Sequence, residues 1–161
     1  MSSAELYAKD FTAFDGKTSE QQLREIADRE EIRALVSRYA LGIARGWQVG
    51  HLFTDDGIFI QRLPGVPPEQ FQGKDALIPM YQKVADTSRP LPMIHNHIIV
   101  IDGDSGEGQC SIELRMSHEG QSMIGSGYYE DEYRRVNGRW RFAKRDATIF
   151  HICSLQEGWA K

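Results

Sequence analysis

The stretch Leu91–Met116, LPMIHNHIIVIDGDSGEGQCSIELRM, decides how the chain is expected to fold. It contains two runs of mostly apolar residues on either side of a polar turn that holds two glycines. Runs of this length and composition, bounded by Gly and Asp, predict two antiparallel β-strands. The first strand carries His95 and His97, and His118 lies just beyond the second. Titratable groups in apolar strands need partners or a function, and so these histidines are the first candidates for a site.

Further strands follow from the same signals. The Asn137-Gly138 pair between two alternating runs is the strongest hairpin signal in the chain. One early strand is predicted over Gly57–Arg62, ahead of a proline-rich loop that a strand cannot continue through. Turn residues divide the C-terminal half into four predicted strands: Ile94–Asp102, Gly108–Ser117, Ser122–Arg135 and Arg139–Ile152.

Helical periodicity is confined to the N-terminal half. Apolar residues recur at helical spacing over Ser19–Arg45, where Ser19 and Gln22 have the spacing of a capping box. A short second helix is predicted over Trp47–Phe53 and a third over Lys74–Asp86. Helices followed by strands indicate an α+β fold. We expect three N-terminal helices packed on the concave face of a cone-shaped, curved antiparallel sheet.

The length, the net charge and the cysteine content of the chain limit its domain number, its partners and its location. The 161 residues suit one domain, which we expect over residues 19–161, with an arm over residues 1–18. A net charge of −4 without a basic stripe argues against nucleic acid as a partner. The polar N-terminus and the short apolar runs predict neither a signal peptide nor a membrane span. Cys110 and Cys153 lack zinc-type spacing, which favours reduced thiols and a cytoplasmic protein.

Five stretches carry a resemblance to a known family: IADREEIRALVSRYALGIARGW, HLFTDDGIFI, FQGKDAL, NHIIVIDGDSGEGQCSIEL and GYYEDEYRRVNGRWRFAKR. They resemble the SnoaL-like group of the nuclear transport factor 2 superfamily, which includes scytalone dehydratase and hexachlorocyclohexane dehydrochlorinase. The resemblance implies an apolar cone for a small hydrophobic or aromatic molecule, and a homodimer or higher homo-oligomer. It also implies lyase chemistry without metal or cofactor, in which a His is the base and an Asp on the first helix orients it.

The chain departs from the family pattern at both of these positions. Ala44 stands where the resemblance expects the helix Asp, and Pro92 stands where it expects the His. We therefore predict His95 or His118 as the base. His118 matches a His of scytalone dehydratase and, by strand alternation, shares a face with apolar residues. Tyr39 matches a tyrosine that reaches the cavity of the dehydratases, and it is the predicted hydrogen-bond donor to an oxyanion or a leaving oxygen.

Other residues are predicted to line the cone. Strand alternation places His95 and His97 on the face of Ile99 and Ile101, which we expect to be the inner face. By resemblance, Arg145 matches a pocket-lining position of the dehydrochlorinase, where it would steer an anionic group. The predicted substrate-binding residues are Trp47, Phe53, Phe59, His97, Tyr129, Arg145 and Asp146.

These observations together predict a cofactor-independent lyase. It would act on a small hydrophobic, aromatic or polycyclic molecule by dehydratase-type elimination or retro-aldol-type cleavage. Two alternatives stay open. The loss of the usual Asp and His favours a non-catalytic domain that binds a small ligand or serves an assembly. An isomerase of this fold would need an inward carboxylate, for which Asp146 is the candidate.

Overall fold

The structure is a computed structural model that describes residues 3–8, 14, 16–88 and 90–156. Its helices are α1 (Ser3–Ala8), α2 (Ser19–Arg45) and α3 (Lys74–Thr87), and a 3-10 turn covers Gly50–Leu52. The described strands form a six-stranded sheet in the order β2-β1-β6-β5-β4-β3, antiparallel except for the parallel β1–β6 pair. The strands are β1 (Phe53–Arg62), β2 (Glu69–Gln72), β3 (Leu91–Asp102), β4 (Ser105–His118), β5 (Gln121–Val136) and β6 (Arg139–Ser154).

The α+β class is confirmed, but the prediction of three N-terminal helices on the sheet is wrong. Two long helices, α2 and α3, pack against the sheet, while the short α1 belongs to the predicted arm, which lies partly outside the described residues. The helix predicted over Trp47–Phe53 is only the 3-10 turn, because Gly46 ends α2 in the left-handed conformation (φ 69°) and the chain folds back at once. Val49 then packs so closely on Gly42 that a Cβ at Gly42 would lie 2.5 Å from Val49 Cγ1.

Helix α2 is capped and amphipathic, as its sequence indicates. The capping box lies one residue earlier than predicted: the Gln21 backbone N–H donates to Thr18 Oγ1 (3.3 Å), and the Thr18 N–H donates to Gln21 Oε1 (2.8 Å). The face of α2 that packs on the sheet includes Ile32, Leu35, Val36, Tyr39 and Ile43.

None of the described helices is long and apolar enough to cross a membrane.

A charged cluster fixes α2 to the sheet. Asp28 on α2 accepts hydrogen bonds from Arg135 Nη2 (2.7 Å) and from Trp140 Nε1 (3.2 Å), and the Arg135 guanidinium lies 4.5 Å from the Trp140 ring centroid. Arg135 Nε also donates to Asp104 in the β3–β4 turn (2.8 Å). Because a largely buried charge is costly without its partner, this cluster holds α2 in one position over the strands.

A β-bulge in β3 decides which of its side chains face the helices. The pairing with β4 shifts between His95 and Ile98, so that Asn96 and His97 together oppose Cys110. Asn96 adopts a left-handed backbone conformation (φ 52°). Because the extra residue inverts the alternation, His97 lies on the half-buried inner face, whereas His95 is exposed on the outer face.

A second bulge, in β6, likewise changes which side chains of its strand face the helices. A shift in the β5–β6 pairing leaves Ala143 without an opposite residue. As a result, Phe142 before the bulge and Arg145 after it both face the helices, and both are 0% exposed. The shifted register also places Arg145 directly opposite Asp131 on β5.

Candidate active site in the cone

A cavity of about 170 Å³ lies between the sheet and the two long helices. Most of its wall is aliphatic or aromatic, and its polar lining residues, among those described, are Tyr39, Tyr81, Tyr129, Gln61 and Ser88. An engineered apolar cavity of about 150 Å³ binds benzene. The cone of this protein is thus not filled by side chains. The cavity volume suits one six-membered ring with small substituents.

Two phenol groups meet in the wall of this cavity. The Tyr81 hydroxyl donates a hydrogen bond to the Tyr39 oxygen (3.3 Å), and the two rings are edge to face with centroids 5.9 Å apart. Burial raises the pKa of Tyr39, although the Arg145 charge and the hydrogen bond from Tyr81 oppose that rise. Both tyrosines are therefore neutral at pH 7. Since Tyr39 accepts the proton of Tyr81, its own proton is available to a ligand.

A buried ion pair lies directly beneath the end of the cavity formed by Tyr39, Tyr129 and Ala147, which we call the floor. Arg145 donates from Nε to Asp131 Oδ1 (2.8 Å) and from Nη2 to Asp131 Oδ2 (2.7 Å). Its guanidinium lies 4.2 Å from the Tyr39 ring centroid and 4.0 Å from that of Tyr129. Arg145 Nη1 has no hydrogen-bond partner among the described atoms. The floor is thus made of aromatic rings backed by a fixed positive charge.

The ion pair continues into a chain of hydrogen bonds that ends at His97. The Tyr133 hydroxyl donates its single proton to Asp131 Oδ2 (2.8 Å). Its oxygen therefore accepts from His97 Nε2, which lies 3.2 Å away. His97 is consequently the Nε2–H tautomer, and its Nδ1 carries the free lone pair. Burial lowers the pKa of His97 to about 4, with the Asp131 charge opposing and the charges of Arg145 and Arg33 adding to that effect.

The predicted bases do not converge on the cavity. His95 is exposed on the outer face of the sheet because of the bulge at Asn96. The expectation that His118 faces inward is also wrong: its side chain is 61% exposed, and its Nε2 lies 4.0 Å from Glu119 Oε1. The inner row of β4 is covered as far as Met116, and the strand ends in solvent beyond it.

Several predicted substrate-binding residues also lie away from the cavity. Trp47 is 60% exposed and stacks with Arg45, because the expected second helix does not form. Phe53 is buried in the core but does not line the cavity. Asp146 lies on the outer face, where both of its oxygens accept hydrogen bonds from Arg62 (2.8 Å each).

Arg145 and His97 lie beneath the floor and do not line the cavity. The bulge brings Arg145 to the inner face, but the Tyr39 and Tyr129 rings separate its guanidinium from the open space. Of the predicted residues, Tyr39, Phe59 and Tyr129 line the cavity. Their contact with a substrate stays a prediction.

Sequence reasoning missed four residues of this region. Asp131 and Tyr133 alternate with Tyr129 on β5, and that spacing alone would have placed all three on one face. Gln61 likewise alternates with Phe59 on β1. Tyr81 lies on α3 and is brought to the cavity by tertiary packing. Among the described residues, no three His, Cys, Asp or Glu are grouped closely enough to hold a metal ion.

A family model for the SnoaL-like domain matches residues 24–146, and the chain therefore belongs to this family. The position that the family resemblance assigns to a basic His is Pro92, which lines the cavity wall, and the position of the orienting Asp is Ala44. No curated protein matches the sequence.

Solved structures share this fold at low sequence identity. A variant of the Mycobacterium tuberculosis protein Rv3472, whose function is unknown, is 27% identical with a TM-score of 0.68, over 81% of this chain and 74% of that chain. The hexachlorocyclohexane dehydrochlorinase LinA-type3 from Novosphingobium barchaimii is 18% identical (TM-score 0.73; 87% and 98% covered). A candidate scytalone dehydratase from Novosphingobium aromaticivorans is 16% identical (TM-score 0.70; 89% and 100% covered).

Proposed function

We propose that this chain is a lyase that eliminates water, without metal or cofactor, from a small hydrophobic molecule with one six-membered ring. The observation that supports this is the Tyr39–Tyr81 hydroxyl pair, 3.3 Å apart, in a largely apolar cavity. A phenol in such a cavity is well suited to donate to a leaving oxygen. The dehydratase and dehydrochlorinase among proteins of the same fold are consistent with elimination chemistry. We favour a single ring over a polycyclic molecule because the cavity volume is about 170 Å³.

In the proposed reaction, one tyrosine is acid and then base. Tyr39 gives its proton to the leaving hydroxyl as the C–O bond breaks, which forms water and leaves a carbocation on the substrate beside the Tyr39 phenolate. The resulting phenolate is stabilised by the hydrogen bond from Tyr81 and by the Arg145 charge, 4.2 Å from the Tyr39 ring centroid. This phenolate then removes the proton from the neighbouring carbon as the double bond forms, which restores neutral Tyr39. Tyr39 thus takes the role of the base that the family pattern assigns to a histidine, whose position is Pro92 in this chain.

The test compares Tyr39→Phe with variants of the exposed histidines. Wild-type protein is incubated with single-ring benzylic alcohols that carry a C–H bond on the neighbouring carbon, and the alkene is followed by NMR. We expect Tyr39→Phe to lower kcat/KM by about 10²–10⁴-fold, because it removes the transferred proton. The variants His95→Ala and His118→Ala serve as matched controls and should stay within about twofold, as neither side chain lines the cavity. Equal activity of Tyr39→Phe and wild type would contradict the assignment.

A second candidate function is non-catalytic binding of the same kind of molecule. The observation that favours it is the lining itself: among the described residues, no His, Asp, Glu, Lys or Arg lines the cavity. A binder would retain a small ring compound in native mass spectrometry and release it unchanged. An isomerase has less support, because the inward carboxylate, Asp131, is occupied by Arg145 and Tyr133 beneath the floor.

A further inference from the structure

Gln61 introduces a polar group on the side of the cavity that belongs to β1. It follows Phe59 on the inner face and is half-buried, and it lines the cavity. In the sheet it pairs with Ala147, which in turn pairs with Tyr129. Gln61 and Tyr129 are therefore two strand spacings apart, about 10 Å, with only a methyl group between them. This leaves room for a ring above Ala147.

The Gln61 amide has no partner among the described residues. No side-chain hydrogen bond joins it to the residues in 16–88 or 90–156, whereas Gln48 and Gln82 are both bonded to neighbours. A glutamine side chain offers two donors and one acceptor. In a largely apolar wall, such an amide favours a ligand that carries a matching polar group.

The floor provides the complementary group. Tyr39 accepts a hydrogen bond from Tyr81 and keeps its own proton for a ligand oxygen. Among the polar groups of the lining, Tyr39 therefore offers a donor, and the side-chain carbonyl of Gln61 offers an acceptor on the β1 side of the cavity. A ring with a single oxygen would satisfy only one of them.

We propose that Gln61 determines specificity, and that the ligand is a single ring with two oxygen functions: an acceptor bound at Tyr39 and a hydroxyl that donates to Gln61. This inference rests on the proposed function, because it assumes that the cone is the ligand site. It narrows the ligand class to hydroxylated single-ring alcohols or ketones.

The test uses 4-hydroxybenzyl alcohol and benzyl alcohol, which differ by one hydroxyl. Their affinities for the full chain are measured by titration calorimetry. We expect wild type to prefer 4-hydroxybenzyl alcohol by about tenfold, the effect of one hydrogen bond in a desolvated site. Gln61→Leu should lower this ratio to about one while benzyl alcohol still binds. Gln70→Leu, the same change at an exposed position of β2, should keep the wild-type ratio.

Each outcome decides a different point. A wild-type ratio near one overturns the role of Gln61 without any variant. An unchanged tenfold ratio in Gln61→Leu also overturns it, and assigns the second hydroxyl to another group. If neither probe binds wild type at millimolar concentration, the cone is not a site for single-ring molecules, and the proposed function falls together with this inference.

Discussion

At the scale of single residues, the protonation states of His97 and Arg145 are set by the series of hydrogen bonds that links them through Asp131 and Tyr133. Arg145 keeps its charge in the core because Asp131 accepts two of its hydrogen bonds, and Asp131 is held in turn by Tyr133. At the other end of this series, His97 can only donate from Nε2 and stays neutral. The cation near Tyr39 thus depends on residues that never reach the cavity.

The pKa of His97 gives a prediction for stability. Because burial lowers it from 6.5 to about 4, the unfolded chain binds a proton at His97 between these values and the folded chain does not. Stability should therefore fall as pH drops, by about 2 kcal/mol between pH 7 and pH 5 from this group. Urea unfolding of wild type and His97→Gln at both pH values isolates the effect, which the variant should lack. A histidine NMR titration with a midpoint near 6.5 for His97 would refute it.

At the scale of elements, the bulge in β3 brings His97 to the inner face, where it contacts Tyr133 beneath the cavity. Asn96 suits the left-handed conformation at φ 52°, and its Nδ2 donates to Ser111 Oγ (3.1 Å). Without the extra residue, His97 would exchange faces with its neighbours, and the hydrogen bond to Tyr133 would be lost. The bulge in β6 has the same importance for Arg145.

Substitution of Asn96 tests this view. Asn96→Gly should change the unfolding free energy by less than about 1 kcal/mol, because glycine accepts the left-handed conformation. Asn96→Val should cost about 2 kcal/mol or more, since a β-branched residue is strained there. Urea unfolding measures both. Equal stability of the two variants would mean that the backbone at Asn96 is not the constraint.

At the scale of the whole molecule, the fold keeps an open cavity in a core that could have been filled. Small Ala147 at the floor leaves space beside Tyr39 and Tyr129, and the ion pair beneath supports these rings. Natural proteins commonly keep such unfavourable features where function requires them. The predicted homo-oligomer and the cytoplasmic location stay predictions.

Filling the cavity should separate binding from stability. We expect Ala147→Leu to weaken benzyl alcohol binding more than tenfold, while the unfolding free energy changes by less than about 2 kcal/mol, because the added methyl groups enter open space. Ala34→Leu, the same change at an exposed position of α2 away from the cavity, is the matched control. Calorimetry and urea unfolding provide the two readouts. Undiminished binding to Ala147→Leu would place the ligand outside the cone.

The α+β class, the long helix Ser19–Arg45 and the C-terminal strands can be predicted from the amino-acid sequence, because these depend on local periodicity, caps and turns. The family resemblance, and not a local pattern, identifies Tyr39 as a cavity residue. Which histidine faces inward depends on the strand pairing in three dimensions, since one extra residue in a strand reverses every side chain after it. The tertiary structure also decides that Tyr81, from a separate helix, meets Tyr39, and that Arg145 is a buried partner of Asp131. Such contacts join residues far apart in the chain, and no local pattern specifies them.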